Sequence, residues 1–306
     1  MSKARVLIDT DISIGVPERD VDDGLALVMA VNSPQLTIDA ITLTYGNSTI
    51  ENVEGAMLEL NKHLHWQGLI ASGAKSSSDL GKPTEATEHI ISLLQQDKHT
   101  IVALGPLTNI ASVLKLCPEL SSQVEQVVVV AGRRPGHRFL TGNHPLSHPD
   151  LNFEKDPWAT EVLLNTNIPL ILAPFEISSK VWITEEFLMR LAGFDSPVSA
   201  FLHKACLPWL GMWRERFSTG FVPTVGFNPF DCLAIACLTD HDLISFEPCD
   251  ASIEYGDYDS TDTHFQGTGN CTKPYLHVRP NLDGKCRYAF DIEREEFLKR
   301  LLGRLH

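Results

Sequence analysis

A chain of 306 residues, 43% hydrophobic and 21% charged, has the composition of an ordinary globular protein. Its formal net charge of -14 argues against a nucleic-acid polymer as partner, because phosphates call for basic residues, and leaves uncharged or cationic small molecules open. No apolar run is long enough to span a bilayer and no signal peptide precedes the first strand, so the expected location is the cytoplasm.

The chain opens on an apolar run, Val6 to Ile8, that reads as a buried strand ending in Asp9-Thr10-Asp11. A loop with Gly15, Pro17 and Asp20 follows, and Asp22-Asp23 then open an apolar helix through Ala30. Leu36 to Tyr45 is a second strand ending at Gly46-Asn47, which completes a βαβ unit. Ile50 to His63 is a helix, Leu69 to Ser72 a short strand, Ser76 to Thr84 a polar loop, and Glu85 to Gln96 a helix. Thr100 to Leu104 is a strand running into Gly105-Pro106-Leu107-Thr108-Asn109 and a helix from Ile110 to Leu116. The β-branched run Gln126 to Ala131 reads as a strand buried on both faces.

Arg133 to Leu151 is the longest irregular segment, and a loop of that length in a compact domain is usually functional. Asp156-Pro157 starts a helix, with proline in the first turn, and Ile168 to Ala173 is a strand. Glu185 to Phe217 is helical, with Trp209 and Trp213 on one face, where core packing is the simpler reading. Asp231 opens another helix, strands fill Ala251 to Ile292, and Glu293 to Leu302 closes the chain as an amphipathic helix. No linker interrupts this pattern, so residues 1–306 read as a single α/β domain. Its expected core is a mostly parallel open sheet with helices on both faces and a C-terminal β extension. The seven cysteines, at 117, 206, 232, 237, 249, 271 and 286, form no CxxC pair and read as reduced thiols.

Asp9, Asp11, Asp22 and Asp23 converge where a strand ends and a helix begins. Like charges so placed raise one another's pKa, and a hard divalent cation with oxygen ligands would resolve the conflict. Asp9, Asp11, Asn47, Leu104 and Gly132 all fall at C-terminal strand ends, where open α/β sheets bind ligands.

These motifs, in this order, resemble the inosine–uridine-preferring nucleoside hydrolase family over nearly the whole chain. Asp9-Thr10-Asp11 with Asp22-Asp23-Gly24 is similar to the family's DxDxGxDDA, Gly46-Asn47 to its GN, and Gly105 to Asn109 to its GxLTN turn. The segment Asp150 to Pro157 is similar to EFNxxxDP, and Asp231 to the late metal aspartate.

The resemblance implies hydrolysis of a ribonucleoside N-glycosidic bond. One Ca²⁺ would be held by Asp11, Asp23, Asp231 and the Leu104 carbonyl, with the sugar diol completing its shell. Asp11 would be the general base toward the attacking water and Asp9 would orient the site from behind. Asp22 would bind the 2′-hydroxyl, Asn152 and Asp150 the ribose hydroxyls, Asn143 the 5′ end, and Asn47 the water or the diol. The partner would be a small nucleoside or riboside, and relatives are dimers or tetramers.

The chain also departs from the family pattern. An insert with Glu18, Arg19 and Asp20 lengthens the loop between Asp11 and Asp22, and Asp150 stands for the usual Glu. Phe230 replaces the histidine that often precedes the late aspartate, and the histidine-bearing loop near Ser76 to Thr84 is shortened. Leaving-group activation is therefore unassigned, and a general acid is worth roughly 10²- to 10⁴-fold in rate. His137, His144 and His148 are candidates, although for each alone a surface or structural role is the simpler reading; Phe230 could stack on a base. Arg133-Arg134 would pair with carboxylates or bind an anionic group. Two other classes compete with the N-ribosyl hydrolase: a nucleoside- or sugar-binding relative without turnover, and an aspartate-nucleophile phosphohydrolase using Asp9 and Asp11.

Overall fold

The β-branched and leucine-rich runs of the first half form parallel strands, and the amphipathic segments between them form helices that cover both faces. In this computed structural model, residues 3–141, 147–218, 224–259, 265 and 271–306 are described. The first half supplies β1 (Ala4–Thr10), α1 (Asp22–Val31), β2 (Leu36–Leu43), α2 (Ile50–Leu64), β3 (Leu69–Ser72), α3 (Glu85–Gln96), β4 (His99–Ala103), α4 (Thr108–Leu116) and β5 (Val124–Val129). The second half adds α5 (Leu151–Lys155), α6 (Pro157–Leu164), β6 (Leu170–Leu172), α7 (Phe175–Ser178), β7 (Ile183–Thr184), α8 (Glu185–Ala192), α9 (Pro197–Phe217) and β8 (Gly226–Phe227). It closes with α10 (Phe230–Thr239), β9 (Ile244–Asp257), β10 (Thr272–Pro280), β11 (Cys286–Ile292) and α11 (Arg294–Leu302).

Among the described residues the strands make one nine-stranded sheet, ordered β10-β9-β11-β6-β5-β4-β1-β2-β3, and a two-stranded β7-β8 pair. The stretch from β3 to β6 is parallel and has the doubly wound order, with its switch point between β1 and β4. Strand alternation divides the core between the two faces. Val6 and Ile8 pack toward α1, α9 and α10, whereas Leu7 packs with Ile101, Ala103 and the helices α3, α4 and α6. Helix α1 is buried along nearly its whole length and packs on α10, as an all-round apolar helix must.

The structure refines three expectations. The C-terminal β extension is continuous with the main sheet: β11 lies parallel beside β6, with β9 and β10 added antiparallel. β9 begins at Ile244, ahead of the expected Ala251. The helical stretch 185–217 is two helices, because Gly193 caps α8 and Ser196-Pro197 starts α9 afresh. Among the described residues, no helix is long and apolar enough to cross a membrane.

Asp156 ties the second half of the chain to the sheet. Its carboxylate caps α6 by accepting the Ala159 N–H at 3.0 Å and takes the Thr108 hydroxyl of α4 at 2.6 Å. Asp156→Ala removes a cap and leaves the Thr108 hydroxyl only its longer bond to the Tyr45 hydroxyl at 3.3 Å, and is expected to cost about 2 kcal/mol, read as a lowered urea midpoint at unchanged m-value.

Candidate active site

The site is assembled at the switch point by β1, β4 and the starts of α1 and α10. After β1 the chain leaves the sheet through Asp9, Thr10 and Asp11, all buried. Asp9 Oδ1 accepts the Thr42 hydroxyl at 2.6 Å and the Asn109 amide at 2.8 Å, and Asn109 in turn accepts the Ala74 N–H at 2.8 Å. The Gly105 to Asn109 turn therefore serves as a brace for Asp9. Asp11 Oδ2 accepts the Asn47 N–H at 2.6 Å. Gly46 lies against that carboxylate so closely that an added Cβ would overlap it, which explains a glycine there.

Packing of α1 on α10 brings together the N-termini of two helices far apart in sequence. The Asp231 N–H donates to Asp22 Oδ2 at 2.9 Å across this junction, and Asp23 Oδ1 accepts the Thr10 hydroxyl. Carboxylate oxygens of Asp22, Asp23 and Asp231 lie within 4.8 Å of one another. Both helix N-termini favour negative charge, but two half-charges do not offset three carboxylates.

Burial and mutual repulsion hold these groups toward protonation. Burial pushes Asp9 up to about 7, and burial followed by Asp22 pushes Asp23 to about 7. Asp11 and Asp231 are held well above the usual carboxylate range, first by burial and then by the neighbouring aspartates. Asp9 Oδ2, Asp11 Oδ1 and Asp23 Oδ2 are buried and accept no hydrogen bond. Among the described residues no basic side chain forms an ion pair with this cluster. Lys155 acts on Asp11 without pairing to it, so the orphaned carboxylate oxygens fit a hard divalent ion, which prefers an all-oxygen shell.

Above the cluster opens a cavity of about 570 Å³. Asp22, Asn47, Leu104, Asp150, Asn152 and Asp231 line its floor, and Phe139, Phe175, Trp209, Met212, Trp213, Phe217 and Phe230 line its sides. Glu18, Arg19 and Asp20 of the insert also line it.

A family model described as "Inosine-uridine preferring nucleoside hydrolase" matches residues 6–299. The chain belongs to this family. It is thereby a nucleoside hydrolase, which cleaves the N-glycosidic bond between ribose and base. It is 24% identical to the non-specific ribonucleoside hydrolase RihC of Escherichia coli, over 92% of this chain and 94% of that protein. It is 29% identical to the pyrimidine-specific ribonucleoside hydrolase RihA of Escherichia coli, over 93% and 94%. The plant nucleoside hydrolase PpNRh1 superposes with a TM-score of 0.77 at 21% identity, over 99% of this chain and 98% of that one.

Most of the residues singled out by sequence meet at this site. Asp9 and Asp11 end β1, Asp22 and Asp23 start α1, and Asp231 starts α10 beside Phe230. Asp22, rather than Asp11, completes the closest trio with Asp23 and Asp231. The Asn152 amide donates to the Leu104 carbonyl at 2.6 Å and the Val130 carbonyl at 3.2 Å, so it braces the floor. Asp150 accepts the N–H of Gly132, whose φ of 97° suits only glycine, and burial raises it to about 6.

His148 lines the cavity, but His137 is not brought there: it faces Glu176 at 3.3 Å and lines a separate cavity. Asn143 and His144 lie outside the described residues. Arg133 and Arg134 take the simpler of their two readings: Arg133 pairs with Asp259 at 2.5 Å, and Arg134 with Glu247 at 2.9 Å and Glu176 at 3.4 Å. Sequence reading assigned Trp209 and Trp213 to the core, yet both also line the cavity. The 209, 213, 217 spacing along α9 was the available signal.

Two outcomes follow from the cluster. A carboxylate whose folded pKa is raised from 3.8 to about 7 stabilises the metal-free fold below the lower value, and that stability is lost as pH rises through about 7. Metal-free protein is therefore expected to melt lower at pH 8 than at pH 5, and an added divalent cation to raise Tm more at pH 8; calorimetry at both pH values checks this. Gly46→Ala is expected to displace Asp11 and to lower cation affinity, measured by titration calorimetry.

Proposed function

We propose that the cluster holds a single Ca²⁺ and that the cavity above it takes the ribose of an N-riboside, with the base against the aromatic sides. The observation that carries this reading is the set of buried, unpartnered carboxylate oxygens on Asp11 and Asp23 beside Asp231, to which no basic side chain pairs among the described residues. Asp11, Asp22, Asp23, Asp231 and the Leu104 carbonyl are the available ligands. Ca²⁺ suits them because it accepts many oxygens in flexible geometry and leaves room for a sugar diol. When bound, the ion lowers the pKa of water and templates the diol.

The chain's own residues do the rest. Asp11 is held by the Asn47 N–H through Oδ2, which leaves Oδ1 to take the proton from the water attacking the anomeric carbon. Breaking the C1′–N bond builds positive charge on the sugar, as in glycoside hydrolysis generally, and the surrounding carboxylates stabilise it. Asp150 and Asn47 line the cavity and would meet the sugar hydroxyls. Asn152 keeps the Leu104 carbonyl aimed by its hydrogen bond. Asp9 fixes the start of the Thr10-Asp11 segment from below.

The N-ribosyl hydrolase reading is favoured over a phosphohydrolase because Asp9, the candidate nucleophile there, is buried behind the site and engaged by Thr42 and Asn109. The test is a reducing-sugar assay on a nucleoside panel with and without chelator. Asp11→Asn and Asp231→Asn are each expected to lower ribose release by roughly 10²- to 10⁴-fold, and chelator to abolish it until Ca²⁺ is restored. Release that survives chelation, or phosphate release from an ester in its place, would overturn the assignment.

A further inference from the structure

The two ends of the cavity differ in chemistry. From Phe230, next in the chain to Asp231, an aromatic wall runs through Trp213, 6.4 Å away between ring centroids, to Phe217 at 4.9 Å and Trp209 at 6.3 Å from Trp213. On the other side Phe230 meets Phe175 at 5.9 Å, which stacks on Phe139 at 4.8 Å. Among the described residues at this aromatic end, His148 alone belongs to a type that titrates near neutrality. Its ring stands edge-on to Phe217 at 4.7 Å and its Nε2 is buried.

Carboxyl groups of the insert join Asp22, Asp150 and Asp231 in the lining. Glu18 is exposed and adds negative charge, whereas Asp20 is held toward protonation by burial and then by Asp22 beside it. The lining guanidinium groups are those of Arg19 and Arg216, the latter over the Phe217 ring at 5.6 Å. Aromatic faces and carboxylates around one cavity are the surroundings a flat organic cation prefers.

We propose that the preferred substrates are N-ribosides whose base carries a positive charge, such as pyridinium or N7-alkylated purinium ribosides. This rests on the N-ribosyl hydrolase reading above. When the C1′–N bond of a neutral nucleoside breaks, the electron pair passes to the ring nitrogen and leaves an anion that needs a proton. When the base is cationic, the same pair neutralises the ring. The base then departs uncharged, while the water oxygen bonds to C1′ and its proton goes to Asp11. A wall that among the described residues presents aromatic rings and no exposed acid is sufficient for the second reaction and poor for the first. The charge on the base is lost as the bond breaks, so the wall acts on capture of the substrate, and the preference belongs in KM more than in kcat.

The experiment compares N7-methylguanosine with guanosine, and the riboside of pyridinium-3-carboxamide with uridine, on the full-length protein with Ca²⁺. KM is compared within each pair, because a charge lost on the way to the transition state does not register in kcat/KM. The cationic member of each pair is expected to have a KM lower by about tenfold or more. Glu18→Gln, on the loop, and Trp213→Leu, in the wall, are each expected to move that ratio toward one. Equal KM values, or a neutral-substrate rate that collapses in His148→Ala, would overturn the inference and leave the N-ribosyl hydrolase reading standing. Release of ribose from none of the four compounds would instead overturn the reading on which it rests.

Discussion

Repulsion among buried carboxylates is the constraint around which this molecule is built. Asp11, Asp22, Asp23 and Asp231 are removed from water and set beside one another, and among the described residues no basic side chain pairs with them. Such an arrangement opposes folding, and the fold holds it by three devices. Helix N-termini point at it, short hydrogen-bonding side chains occupy some oxygens, and the rest are left for a cation. The doubly wound sheet supplies the place, since the switch between β1 and β4 opens a crevice at the strand ends. The motifs that flank the cluster are its supports. Gly46 gives Asp11 room, Asn109 holds Asp9, and Asn152 holds the Leu104 carbonyl.

The insert between Asp11 and Asp22 changes the mouth of the cavity without disturbing its floor. Ile12, Ile14 and Val21 are buried, so both ends of the loop are anchored in the core. Glu18, with a positive φ of 58°, and Arg19 are exposed at its tip and reach the cavity. Variation of substrate preference in such a fold falls on loops of this kind, because the cluster below tolerates little change.

Periodicity and turn chemistry made the parallel half of the sheet legible, since each strand there is a short apolar run followed by a polar turn and an amphipathic helix. The acidic cluster was legible for another reason: adjacent aspartates at a strand-to-helix junction are costly unless they have a purpose. Three features were not legible. The place of β11 beside β6 depends on long-range pairing that no local pattern encodes. Trp209 and Trp213 share the spacing of core residues, and only the cavity's position shows that the same face turns toward it. His137 sits in a loop near the site by sequence but is drawn off by Glu176.

The hydrogen bond from the Asp231 N–H to Asp22 joins segments separated by 209 positions. During synthesis, the first strands and α1 emerge long before α10 exists, so the early aspartates are made without the residue that completes their ion-binding set. A cation that needs all of these carboxylates is therefore bound only once the tenth helix docks, and its binding would secure that long-range contact in the finished chain.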